Sequence, residues 1–170
     1  MDDVRVCLTE DEQRIAKFIA RRRQESNDTQ GVNDSRVTAG QSSVSIHEDG
    51  FAAELAFCKL FNVYPDFEIR PRRGSADCSR FGETIDVKAT RYQNGKLLAV
   101  AWKETCAADV YALMILEDGA RFRFAGFARA TDLIAPERLT NLGHGPTYAL
   151  EQQQLRGHLA LPFERRRASK

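Results

Sequence analysis

At 170 residues, 42% of them apolar, the chain is expected to form one domain with a core large enough to fold alone. Its formal charge of +1 neither demands nor excludes nucleic acid, because a local basic stripe matters more than the total. The longest apolar stretches, such as Val110 to Leu116, are too short to span a bilayer, and the Met-Asp-Asp start lacks the basic-then-apolar pattern of a secretory signal.

Cys7, Cys58, Cys78 and Cys106 are too scattered for a zinc knuckle or an iron–sulfur staple, so free thiols in a reducing compartment are expected. Together these features point to a cytoplasmic protein with no membrane contact.

In chain order, Thr9 is placed to cap a helix with Glu10, Asp11 and Glu12 in its first turn and Ile15, Ala16, Phe18 and Ile19 as apolar positions. Arg21, Arg22 and Arg23 then fall in the last turn, giving an N-terminal helix over 1–24. A polar loop is expected over 25–45. A second helix follows from His47 to Asn62, with Phe51, Leu55, Cys58, Leu60 and Phe61 at helical spacing and small Ala52, Ala53 and Ala56 between them. Glu54 stands inside this apolar helix, and the residues three and four positions away offer no cation.

Strands come next. Phe67 to Arg70 is short and is broken by Pro71. Ala76 to Cys78 and Thr84 to Thr90 read as the arms of a hairpin turning through Ser79 to Gly82. Leu97 to Trp102 and Val110 to Leu116 are apolar enough for central strands. Asp118-Gly119 turns the chain into Arg121 to Phe127, which alternates as a half-exposed strand would. Thr131 to Ala135 is expected as a short helix ended by Pro136, within an extension over 131–170. The order predicts an α/β fold with a mixed central β-sheet flanked by helices, its core over 46–130.

On the strand Thr84 to Thr90, Ile85, Val87 and Ala89 are expected to face the core, with Asp86 and Lys88 together on the other face. Asp77, across the hairpin, can approach Asp86. Two carboxylates held that close repel unless something positive lies between them. Magnesium satisfies that need through carboxylate oxygens, a carbonyl and waters, with manganese as a substitute. The expected ligands are Asp77, Asp86, Val87 and Glu54, the last directly or through a water. Lys88 is placed to orient or deprotonate an attacking water.

The set Asp77, Asp86-Val87-Lys88 and Glu54 within Gly50-Phe51-Ala52-Ala53-Glu54-Leu55 resembles the PD-(D/E)xK nuclease superfamily, in the manner of its small phage or prophage members. Asn62-Val63-Tyr64-Pro65-Asp66, and Gly82 before the acid-x-Lys, extend the likeness, which covers roughly Ile46 to Phe127. Ala76 stands where the motif has proline, and no Gln-x-x-x-Tyr phrase follows the last strands. The resemblance implies a restriction-endonuclease-like core and metal-dependent phosphodiester hydrolysis, usually of DNA. Its catalytic residues would be Glu54, Asp77, Asp86 and Lys88. It further implies a host cytoplasm if the chain is phage-encoded, with a homodimer suited to cutting two strands.

His47, Arg72, Arg73, Arg91 and Lys103 form the expected nucleic-acid-binding set, against the plainer reading of solvated charges and a structural histidine. Two other functions compete. One is an inactive nucleic-acid- or protein-binding module on the same fold. The other is a metal-free domain in which Lys88 merely neutralises Asp77 and Asp86.

Overall fold

The computed structural model describes residues 4–29, 43–69, 76–80, 82–101, 108–143 and 145–157. The first element is a strand, β1 (Arg5–Cys7), followed by helix α1 (Glu10–Thr29). Thr9 and Glu12 start α1 reciprocally: the Thr9 hydroxyl accepts from the Glu12 amide at 3.2 Å, and the Glu12 carboxylate accepts from the Thr9 amide at 2.7 Å. The helix runs past the arginines expected to end it. No Gly or Pro stands between Arg23 and Thr29, and Arg22 pairs with Glu25 one turn on.

Helix α2 (Ser43–Phe61) begins earlier than His47 and stops where Asn62 takes a positive φ of 51°. The Val63 amide donates to the Cys58 carbonyl, and Asn62 to Lys59, which closes the helix end. Residues 67–69, expected in a strand, are in none. Phe67 instead packs its ring against Phe51 at 6.3 Å.

The main sheet contains β1, β2 (Cys78–Arg80), β3 (Glu83–Thr90), β5 (Val110–Asp118) and β6 (Arg121–Arg129), in the order β1-β6-β5-β3-β2. β3 and β5 run parallel and the other pairs antiparallel, so the sheet is mixed. A parallel pair needs a crossover. Here the crossover carries β4 (Leu97–Val100), which joins a separate antiparallel sheet, β4-β8-β7, with β7 (Leu139–Asn141) and β8 (Pro146–Leu150). The expected central strand at Leu97 is therefore a strand of a second layer. A short helix, α3 (Ala130–Leu133), ends before a 3-10 turn at Pro136–Arg138.

Both faces of the main sheet are covered. On one, Ile85, Val87, Ala112, Met114, Phe122, Phe124 and Phe127 pack with Ala16, Ile19, Phe51, Phe57 and Cys58 of the helices. On the other, Tyr111, Leu113, Ile115, Ala125 and Ala128 pack with Leu97, Ala99, Tyr148 and Leu150 of the small sheet. This double cover explains why β6 is buried along most of its length rather than half-exposed: its aromatic residues serve one core and its alanines the other. Gly126, at φ 137°, lets Leu155 and Arg156 approach, where an added Cβ would lie 2.7 Å from that of Leu155. No described helix is long and apolar enough to cross a membrane.

Candidate functional site

β3 carries the expected alternation through its centre. Ile85 and Val87 are buried toward the helices, and Asp86, 3% exposed, turns toward the small sheet. Ala89, expected in the core, is exposed near the strand end. Lys88 stands on the same face as Asp86, and its ammonium donates to Asp86 Oδ1. A buried carboxylate is costly unless a cation and hydrogen bonds compensate it, and Lys88 supplies the cation.

The hairpin pairing ends at Cys78 and Ile85, and Asp77, one residue before it, bonds to the backbone on either side of Asp86. Asp77 holds the edge of β3 at two points. Its amide donates to the Ile85 carbonyl at 2.9 Å, and its Oδ2 accepts from the Val87 amide at 2.7 Å. In a strand, a residue's N–H and C=O project to the same side. The Val87 carbonyl therefore points to this edge as well. Asp77 thus lies against the Val87 backbone where β2 gives out beside β3, one residue along from Asp86.

Glu54 approaches from α2, on the helix side of the sheet. Its Oε2 accepts from Arg23 of α1 at 3.1 Å, with both side chains largely buried. The local reading found no cation for Glu54 because this one comes from another helix. Arg23 also donates to the carbonyls of Asp66 and Glu68, and its guanidinium lies 4.4 Å from the centre of the Phe51 ring. It binds α1, α2 and the following segment into one clamp. The signal for it was in the sequence: Ala16, Ile19, Ala20 and Arg23 share one helical face, which is buried.

The thiols of Cys58, on α2, and Cys78, on β2, are close enough to interact. The hydrogen bond that the Cys58 thiol gives to Cys78, then burial and the charges of Cys78, Glu54 and Asp77, push the Cys58 thiol far up. Both are free and buried, so they behave as small core residues.

The donor atoms are oxygens of the kind that a hard divalent cation takes. The structure holds them in internal bonds: Asp86 on Lys88, Asp77 on the Val87 amide, Glu54 on Arg23. Among the described residues, no three acidic, histidine or cysteine side chains converge as a metal-binding group. By type alone, carboxylate and carbonyl oxygens are donors that magnesium accepts.

Of the expected nucleic-acid contacts, Arg91 follows β3 and grips Asp49 of α2 with two bonds, at 2.6 and 2.9 Å. That hydrogen-bonded pairing raises its pKa and ties the start of α2 to the end of β3. His47 is half-buried on α2, two turns before Glu54. Arg72, Arg73 and Lys103 lie outside the described residues.

No curated protein and no solved structure matches the chain. The sequence profile of DUF5843, described as a family of unknown function, matches residues 3–166, and the chain belongs to that family.

Proposed function

We propose that the chain is a divalent-metal-dependent nuclease that hydrolyses phosphodiester bonds, with DNA as the first candidate substrate, on a restriction-endonuclease-like core. The observation that carries the reading is the grip of Asp77 on the edge of β3 at Val87, beside the buried pair Asp86–Lys88. An acid that clasps a strand edge one residue from a second, buried acid concentrates negative charge at that edge.

Asp77, Asp86 and the Val87 carbonyl would hold magnesium, with Glu54 acting directly or through a water. Bound there, the ion supplies Lewis acidity toward a phosphate oxygen and an attacking water. Lys88, on the same face as Asp86, orients that water and takes part in its deprotonation. Arg23 keeps Glu54 ionised and aimed from α2. A substrate of this kind belongs in the cytoplasm.

Incubation with linear, circular and branched DNA, with and without magnesium, tests the proposal. Cleavage is expected only with the metal. Lys88→Ala and Asp86→Ala should lower the rate by about 10²–10⁴-fold. If the wild type cuts none of these substrates and both variants bind magnesium as well as it does, the reading is wrong.

The ion pair between Lys88 and Asp86 also favours a second reading, in which Lys88 simply neutralises the acids of a structural domain. Melting in a magnesium titration separates the two. Crowded carboxylates are stabilised by the metal through linkage, and lysine-satisfied ones do not respond.

A further inference from the structure

β3 runs out at Thr90, two residues past Lys88, and the chain then turns before β4. The turn, over 91–95, is fastened on three sides. Arg91 holds Asp49 of α2 with two bonds, and the Gln93 carbonyl accepts from Arg123 of β6 at 3.1 Å. Gln152, just after β8, donates to the carbonyls of Gln93 and Gly95 at 2.8 and 2.9 Å. Within the turn, the Gly95 amide donates to the Tyr92 carbonyl at 2.9 Å, and the Tyr92 amide to the Thr90 hydroxyl at 3.2 Å. Gly95 packs so close to Thr90 that an added Cβ would lie 2.5 Å from its Cγ2.

Tyr92 heads this turn with both backbone polar groups matched, yet the residue is 74% exposed. A single exposed ring is ordinary on a protein surface. The mount sets this one apart: a backbone fixed on both sides carries a ring that the fold leaves in solvent. Tyr64 shows the alternative, since its exposed ring leans edge-on against Phe67 at 5.9 Å. Among the described residues, no ring contact or hydrogen bond engages the Tyr92 side chain.

The position matters as well. Four residues of chain separate Tyr92 from Lys88, at most about 14 Å even when fully extended. A strand bound at Asp86 and Lys88 therefore passes within a few nucleotides of the ring. A rigidly mounted ring offers a flat face at little ordering cost, and every base has a π-face to lay on it. Only an unpaired base can use it, because a base inside a duplex is already stacked between its neighbours.

We propose that Tyr92 is a stacking platform for an unpaired base of single-stranded nucleic acid, placed beside the Asp86–Lys88 pair. The inference deepens the nuclease reading, and rests on it for the path of the strand.

Binding of labelled oligothymidylate, measured in chelator and low salt so that no strand is cut, tests this. Tyr92→Ala should weaken binding about tenfold, whereas Tyr92→Phe, which keeps the ring, should bind as wild type does. The exposed ring adds little to the fold, so Tyr92→Ala should melt within about 2 °C of wild type. The salt dependence of binding should keep its slope, because no phosphate contact has been removed. An abasic strand of the same length, and the duplex with oligoadenylate, should each bind wild type and Tyr92→Ala alike. The proposal is overturned if Tyr92→Ala binds oligothymidylate as wild type does, or if Tyr92→Phe loses as much as Tyr92→Ala. An equal loss on the abasic strand or the duplex overturns it too.

Cleavage in magnesium keeps these outcomes apart from the nuclease reading. A wild type that binds through Tyr92 but cuts nothing keeps the platform and removes the nuclease. One that cuts while Tyr92→Ala binds and cuts equally well does the reverse. A wild type that binds no strand removes the platform.

Discussion

Arg23 and Lys88 both neutralise a buried acid, one on each side of the main sheet, and their surroundings differ in kind. Arg23 meets a carboxylate, two carbonyls and an aromatic ring, so several directions around its guanidinium are matched. Lys88 meets Asp86 on a face where a neighbouring hydroxyl goes unmatched. A fully satisfied polar network rigidifies a core, whereas an unmatched buried hydroxyl costs stability. The helix side thus carries a clamp of several bonds on one guanidinium, and the Asp86 side a buried ion pair beside the unmatched hydroxyl of Tyr111.

The sharpest way to break this contrast is Arg23→Ala. It leaves Glu54 partly buried without its cation and frees two carbonyls, which should cost about 3–5 kcal/mol and lower the melting temperature by roughly 10 °C. Magnesium should restore little of that loss if the clamp is structural, and a full restoration would merge the two sides.

Asp77→Asn is a finer probe. The amide oxygen still accepts from Val87, so the metal-free protein should lose only about 1 kcal/mol, while its response to magnesium should largely vanish. Equal magnesium shifts in variant and wild type would remove Asp77 from the ligand set.

The smallest effect belongs to Asp109, whose Oδ2 accepts from the amide and hydroxyl of Thr84 and joins the starts of β3 and β5. These bonds, the backbone one first, hold its carboxyl below the usual range. A depressed folded-state pKa gives stability that is present above the unfolded value near 4 and is lost as pH falls through the folded one. Asp109→Asn should therefore melt slightly lower than wild type at pH 7, and the gap should close as the pH falls through the lowered folded-state value. A gap that persists in acid would show that the contact acts through packing instead.

Much of the Asp86 side was legible because β3 alternates by sequence rule: Ile85 and Val87 are inward-facing apolar residues, and Asp86 and Lys88 take the opposite face. The hairpin was legible too, although β2 starts at Cys78 because Asp77 spends its side chain on the Val87 amide. The helix side was harder to read. Arg23 and Glu54 are 31 residues apart, and a local search around either finds no partner. The strand at Leu97 was recognisable as apolar, but its sheet was not, because pairing with Leu150 depends on where the chain returns after α3. Tyr111 sits in a run so apolar that its hydroxyl gives no signal until its neighbours are in place.

The roof over Tyr111 is woven from distant pieces: β4 lies inside the crossover between β3 and β5, and β8 follows β6. On a ribosome, the strands that bear Asp86 and Tyr111 emerge well ahead of Leu150. Until that last strand docks, the acid remains bathed in solvent, and the nascent chain carries its charge at no electrostatic penalty. Dehydration of the pocket is thus a late event in synthesis, and a chain stalled before β8 would display an open, hydrated version of the same face.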